Sequence, residues 1–303
     1  MKLEFDVADG YNFLPHCLNH LARYTGPLYN DYHDLAHPLA FVSTSLNDLI
    51  DKIEAFLNTL DLYKTLSFHD KIRPDTEQEL LGNYKAVIYS FAEYAESLEK
   101  NVVKSICPKI ALQDSATKNY ISDFKKKISP KYDRAIVICN KLKHNHNRMN
   151  FVLLRYSIGS AAGFSVMHNN RGTWKPNIEI HKKCQYYSFN IDIRRIMAEV
   201  YLLGYECGIF INNIAQTQGG LSETLLHNFQ LPDRYIPILS KISTLPTLPF
   251  PPESLIPIPL FRYNQECLKV SYDGGNLIPV GSLQAEIEVR YAGDGVSNSF
   301  AII

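Results

Sequence analysis

One stretch of this chain constrains the fold more than any other, a helical pattern of apolar side chains over residues 75–106. Within it, apolar and aromatic residues recur three or four positions apart, which is the spacing of one face of an α-helix. This stripe consists of Leu80, Leu81, Tyr84, Val87, Ile88, Phe91, Tyr94, Leu98, Val102 and Ile106. Asp75 is a typical N-cap and Pro108 a typical stop signal, so the pattern predicts one helix about eight turns long.

The same spacing recurs elsewhere in the chain and predicts a bundle of long helices. Residues 39–60 and 190–213 each carry an apolar face of this kind. Residues 115–128 and 130–147 show it as well. Because a proline inside a helix removes a backbone donor, we expect these last two segments to be separate helices with a break at Pro130.

A strand-like composition interrupts the helical part of the sequence. Residues 151–167 and 174–189 are rich in valine, isoleucine, tyrosine and phenylalanine, which favour strands. The turn-forming run His-Asn-Asn-Arg-Gly at 168–172 lies between them. The sequence therefore predicts a β-hairpin inserted near residues 151–189.

The carboxyl-terminal part begins with six prolines among the fourteen residues 246–259, which excludes a helix there. Three short strand-like segments follow around a turn, at 266–272, 277–280 and 286–291. We expect a mainly α protein. Residues 1–245 form a bundle of long helices with the inserted hairpin, and residues 246–303 form a proline-rich arm and a small β-rich element packed on the bundle.

Charge and cysteine usage bound the possible functions. The 303 residues contain 31 basic and 31 acidic side chains, so a nucleic-acid site has to be a local patch. The six cysteines are scattered, and acidic residues stand near the amino terminus where a secretion signal needs an apolar run. No stretch of about 18 uncharged apolar residues occurs. We expect a cytoplasmic protein with free thiols and no membrane span.

The segment 130–150 carries the chemistry of most interest. At about 100° per residue, Asn140, His144 and Arg148 fall on one side of a helix, opposite its apolar face. From Lys118 to Arg155 there are ten basic residues against two acidic ones, which attracts phosphate backbones. The candidate phosphate-binding residues are Lys125, Lys126, Lys127, Lys141, Lys143 and Arg148. On spacing alone, the solvated face of an amphipathic helix is the alternative interpretation.

Residues 139–145, Cys-Asn-Lys-Leu-Lys-His-Asn, resemble the signature helix of HEPN domains, the higher eukaryotes and prokaryotes nucleotide-binding family. The pattern there is arginine, a polar residue, three variable residues and histidine, and the resemblance covers roughly residues 28–215. Many members are metal-independent endoribonucleases of toxin–antitoxin or phage-defence systems, and they commonly dimerise through facing signature helices. The resemblance implies His144 as the catalytic histidine and Asn140 as the polar orienting residue. It also implies RNA, a second copy of the chain and an antitoxin or defence protein as partners, with no cofactor and no metal.

This chain departs from the family pattern at its arginine position, which Cys139 occupies. A thiol cannot supply the permanent cation that binds phosphate. Either Lys141 or Arg148 takes that role, or the chain is a non-catalytic member that binds RNA or a partner. A histidine titrates near neutrality and can move a proton at a ribose 2′-hydroxyl, so endoribonuclease activity remains one of the interpretations.

Two interpretations from other classes remain beside the RNA-binding one. The signature helix can serve as a protein-interaction or dimerisation surface without catalysis. The pairs His16/His20 and His33/His37 have the i, i+4 spacing of zinc ligands on a helix, which would suit a metal-dependent hydrolase. The run at 192–195, Asp-Ile-Arg-Arg, is interpreted as a charged, exposed helix face, with a contribution to a basic groove as the alternative.

Overall fold

The structure, a computed structural model, describes residues 2–6, 13–68, 74–107, 114–144, 147–156, 159–182, 184–218, 220–224, 233–250, 253, 260–264, 267–271, 285–290 and 297–302. Within these ranges the protein is mainly α, as the sequence predicts. Its helices are α1 (His16–Arg23), α2 (Pro38–Phe68), α3 (Pro74–Glu96), α4 (Val103–Ile106), α5 (Ser115–His144), α6 (Ile178–His181), α7 (Phe189–Gln218) and α8 (Tyr235–Thr244). None of these helices is both long and apolar enough to cross a membrane.

The strands of the described chain form two antiparallel sheets. They are β1 (Lys2–Asp6), β2 (Arg148–Tyr156), β3 (Gly159–Asn170), β4 (Thr173–Pro176), β5 (Tyr187–Ser188), β6 (Leu260–Asn264), β7 (Cys267–Ser271), β8 (Ala285–Arg290) and β9 (Ser297–Ile302). The smaller sheet has the order β1-β7-β6. The larger has the order β4-β3-β2-β8-β9, and β5 pairs with β3 off this path.

The apolar stripe over residues 75–106 is buried along its whole length, as predicted. The helical run is not α-helical throughout, because Ser97–Val102 is a π-helix between α3 and α4. From Tyr94 to Ile106 the stripe residues are four apart, a spacing that overshoots three α-helical turns by about 120°. A π turn takes up one additional residue, about 100°, and thereby keeps Leu98, Val102 and Ile106 on the buried face.

Helix α5 runs without a break from Ser115 to His144, so the predicted separation at Pro130 is wrong. The side chains on both sides of the proline are buried, with Ile128 at 0% and Tyr132 at 5% exposure. Pro130 itself is exposed, so the cost of its missing backbone donor falls on the solvent side of the helix. Packing of the apolar face overrides the local preference of proline, and the helix ends at His144, before the predicted residue 147.

The predicted hairpin exists but has different strands. β2 and β3 form it, with Arg148 opposite Met167 and Tyr156 opposite Gly159, so residues 151–167 are not one strand. The predicted turn at 168–172 joins β3 to β4 instead. Residues 174–189 are likewise not one strand, because Asn177 caps the short helix α6, its Oδ1 accepting from the Glu179 amide at 3.0 Å.

One glycine is required where β5 pairs with β3. A Cβ at Gly163 would lie 2.1 Å from the Tyr187 carbonyl oxygen, which is backbone and cannot move aside. This close approach brings the start of α7 onto the sheet. Phe164 of β3 and Phe189 of α7 then pack with ring centroids 5.8 Å apart.

The predicted helices over 39–60 and 190–213 lie within α2 and α7, and α7 is buried along most of its length. It packs against α1 on one side and α5 on another, which makes it the central helix of the bundle.

In the carboxyl-terminal part, the predicted strands at 266–272 and 286–291 are present as β7 and β8. The predicted strand at 277–280 lies outside the described residues. β7 pairs with β1, and β8 pairs with β2, so in both sheets a carboxyl-terminal strand pairs with a strand from much earlier in the chain.

Candidate nucleic-acid interface

The outward side of α5 carries the predicted polar residues. Lys125, Lys126, Asn140, Lys143 and His144 are all exposed, and we name this set the α5 basic face. Neither the Asn140 nor the His144 side chain forms a hydrogen bond or ion pair with another described residue. At 1.5 Å per residue, the face extends about 28 Å along the helix axis. It is a solvated, positively charged surface with His144 at its end.

Two of the predicted phosphate-binding lysines are already paired with acidic side chains. Lys127 Nζ lies 3.5 Å from Glu206 Oε2 of α7. Lys141 Nζ lies 2.7 Å from Glu179 Oε2 of α6. These pairs neutralise part of the local basic excess, so Lys125, Lys126 and Lys143 carry more of the net positive charge than the sequence alone indicates.

Arg148 does not continue the helical stripe as the sequence predicts. The helix ends at His144, and Arg148 is the first residue of β2, so the i, i+8 relation to Asn140 does not hold. Its guanidinium carbon lies 4.9 Å from the ring centroid of Trp174 on β4. Lys143 Nζ lies 4.9 Å from the Tyr89 ring centroid, and both cations gain from the aromatic quadrupole.

Cys139, at the family's arginine position, points into the core. Only 5% of it is exposed, and its Sγ lies 3.9 Å from the Ile88 carbonyl oxygen. Burial raises the pKa of this thiol to about 11. A side chain at this position therefore cannot reach the α5 basic face, and the departure from the family pattern is one of geometry as well as of charge.

A pocket of about 480 Å³ adjoins the last turn of α5. Its lining includes Lys141, Asn147, His168, Asn177, Ile178 and Glu179, contributed by α5, β3, α6 and the segments next to them. The Asn177 amide donates to Asn147 Oδ1 at 3.0 Å, and the Asn147 amide donates to the Lys141 carbonyl at 3.2 Å. These bonds fix the floor of the pocket to the end of the helix.

The run at 192–195 is not the exposed face that the sequence predicts. Asp192 is completely buried, and its carboxylate accepts hydrogen bonds from Tyr84 and Arg134 and from Arg195 Nη1 at 3.2 Å. The two guanidinium groups also lie over the Tyr187 ring, at 4.8 and 5.6 Å from its centroid. This Asp192 cluster ties α3, α5 and α7 together.

The pKa values of three further groups near the Asp192 cluster are shifted. Burial raises the pKa of Glu199 to about 8 and that of Glu253 to about 7. Burial, with the Arg134 charge, lowers the pKa of His181 to about 3. The Val166 amide donates to His181 Nε2 at 2.8 Å, which requires that nitrogen to be unprotonated. With one nitrogen engaged and the ring buried, His181 serves as a structural acceptor.

The two histidine pairs lie in different settings. His16 and His20 share α1, where the His20 ring donates from Nδ1 to the His16 carbonyl at 2.9 Å. Burial lowers the pKa of His20. His33 lies in a 3-10 turn and His37 precedes α2, so the second pair lacks the helical spacing that the zinc interpretation assumes. Across the described ranges, no three His, Cys, Asp or Glu side chains are grouped to hold a metal ion.

Comparison with known proteins found no matching family model, no matching curated protein and no matching solved structure. The HEPN resemblance therefore stays a prediction from residues 139–145. The function has to be inferred from this chain's own surface, pocket and charges.

Proposed function

We propose that this protein binds RNA along the α5 basic face. The observation that carries the proposal is the segregation of exposed lysines with Asn140 and His144 on one side of a single helix. The chain as a whole has no net charge, so this local concentration is what would attract a phosphate backbone. The aromatic rings beneath Lys143 and Arg148 support it, because such rings hold the cations near the surface.

Cleavage of the bound RNA would need a second copy of the chain. His144 is exposed to solvent, but no described residue hydrogen-bonds to its ring. A general base works best when its ring is oriented and a cation stabilises the charge that develops on phosphate. We propose that facing α5 helices in a homodimer supply both the group that orients the ring and the cation. This arrangement would make the protein a HEPN-like endoribonuclease of a toxin–antitoxin or phage-defence system.

A non-catalytic interaction module is the second candidate, and the buried Cys139 favours it. The position where the family pattern has arginine faces Ile88 in the core, so this position supplies no cation next to Asn140. In this alternative, the α5 basic face binds RNA or an acidic partner such as an antitoxin and performs no chemistry.

The RNA-binding proposal is tested by fluorescence anisotropy with a labelled 20-nucleotide single strand between 50 and 200 mM salt. Lys125→Ala with Lys126→Ala should weaken binding and reduce the slope of log affinity against log salt by about 1.4. The matched control removes two lysines of α2, Lys52→Ala with Lys64→Ala, and should leave the slope unchanged. Equal slopes for both double variants, or no binding by the native protein at 50 mM salt, would contradict the proposal.

Catalysis is tested on the same RNA with His144→Ala. If His144 moves a proton, the variant should lose at least about a hundredfold in cleavage rate. Its RNA affinity should stay the same, because the lysines that attract phosphate are all retained. Light scattering across protein concentration checks the composite site. Cleavage that persists in a monomer rules out the two-copy arrangement, and binding without cleavage by a dimer favours the non-catalytic alternative.

A further inference from the structure

The pocket at the end of α5 has the size and position of a ligand site. Its volume of about 480 Å³ falls within the range of roughly 300–1,000 Å³ that holds small molecules in proteins. Lys141 of α5 lines it, three residues before His144, the last residue of the α5 basic face. A strand of RNA along that face would therefore pass the mouth of the pocket.

The polar groups in the pocket form a paired donor and acceptor. Lys141 Nζ and Glu179 Oε2 lie 2.7 Å apart, one a donor and the other an acceptor. The Glu179 side chain is 61% exposed, so the pair faces an incoming ligand without being sealed by the protein. His168 Nδ1 is buried among the lining residues and has no hydrogen-bond partner. The accessible surface of the pocket thus offers one cationic donor and one anionic acceptor.

The pocket also has an apolar wall. Ile178 is 75% exposed, an unusual position for a large aliphatic side chain, and it stands beside Glu179 in the lining. Nucleobases taken out of a stack are typically held between aromatic or apolar side chains and read by hydrogen bonds on their Watson–Crick edge. Ile178 supplies the apolar surface, and the Lys141–Glu179 pair supplies the edge contacts.

We propose that this pocket binds one guanine base extruded from RNA on the α5 basic face, a specificity that rests on the proposed function. Guanine presents the acceptor O6 next to the donors N1–H and N2–H. Lys141 donates to O6, and the Glu179 carboxylate accepts from the two donors. Adenine has no carbonyl for Lys141, cytosine presents an acceptor nitrogen to the carboxylate, and uracil presents a single N–H.

The test uses the four nucleoside monophosphates and isothermal titration calorimetry on the full chain. GMP should bind at least about tenfold more tightly than AMP, CMP or UMP, the discrimination expected from paired edge contacts. Glu179→Gln should reduce the GMP preference at least about fivefold, because an amide cannot accept from both donors. Asp133→Asn, which removes the same charge from an exposed site on α5, should leave the preference intact.

The outcomes separate this inference from the RNA-binding proposal. Equal affinity for the four monophosphates, or a GMP preference unaffected by Glu179→Gln, overturns the guanine pocket even when RNA binding depends on Lys125 and Lys126. If the native protein prefers GMP and Glu179→Gln removes that preference, the guanine pocket is supported. This holds even when RNA affinity does not depend on Lys125 and Lys126. Thermal unfolding of Glu179→Gln should match that of the native protein, since the side chain is exposed.

Discussion

Removing the charge of Asp192 should destabilise the whole helical bundle. The carboxylate is completely buried and is bound by Tyr84, Arg134 and Arg195. Asp192→Asn keeps the shape but leaves two guanidinium groups without their counterion. Breaking a buried ion pair from one side costs about 3–5 kcal/mol. Glu199 offsets only part of this, because its raised pKa of about 8 leaves it mostly protonated at pH 7.

The loss is measurable as a fall in melting temperature. With about 2–4 °C per kcal/mol for a chain of this size class, the variant should melt on the order of 10 °C lower in circular dichroism at pH 7. Asp133→Asn is the matched control, since Asp133 is exposed and accepts one hydrogen bond, from Ser129 at 3.0 Å. It should change stability by less than about 0.5 kcal/mol. Equal melting temperatures for the two variants would refute the assignment of Asp192 as the centre of a stabilising cluster.

Three further predictions concern other buried groups. Burial raises the folded-state pKa of Glu199 to about 8 from its usual 4.5, so the native state holds a proton that the unfolded state releases and stability falls as pH rises between those values. Glu199→Gln should remove this loss of stability, so the melting temperature of the variant minus that of the native protein should rise between pH 5 and pH 9. If that difference stays constant with pH, the buried Glu199 carboxyl is not the cause of the pH dependence. Cys139→Arg, which introduces the arginine of the HEPN pattern, should place a guanidinium in the core next to Ile88, cost more than about 3 kcal/mol and yield no new cleavage, as measured by melting and RNA digestion. Of the six cysteines, Cys267 is half-buried and the other five are buried, so Ellman's reagent should react rapidly with about one thiol per native protein. This rapid reaction should be absent in Cys267→Ser. Rapid reaction of several thiols would contradict the burial of the other five.

The long helices could be predicted from the sequence because their buried faces are continuous. The stripes of α2, α3 and α7 follow the helical period closely, and burial of those side chains decides the structure. Prediction fails at Pro130 because its local preference is outweighed by side chains buried on both sides of it. It fails again at the β2–β3 connection, because Ser157 and Ile158 carry no turn signature whereas residues 168–172 do.

Only those features of the candidate site that depend on a single helix could be predicted from the sequence. The exposure of Asn140 and His144 follows from helical periodicity alone, and the structure agrees. The pocket brings α5, β3 and α6 together, and no spacing in the sequence links Lys141 to His168 or Glu179. The inward orientation of Cys139 and the burial of Asp192 depend on which neighbours pack against α5 and α7, which a one-dimensional pattern does not contain.

The pairing of β2 with β8 has a consequence for how the chain reaches its folded state. Tyr156 lies opposite Ala285, a partner that is synthesised about 130 residues later. At a synthesis rate of about 5–20 residues per second, one edge of β2 stays unpaired for roughly 6–26 s until β8 has been made. An uncovered edge of this kind is a template for pairing with another chain. Nascent molecules therefore pass through an interval in which self-association competes with completion of the sheet, and a chain that stops before β8 keeps that edge open permanently.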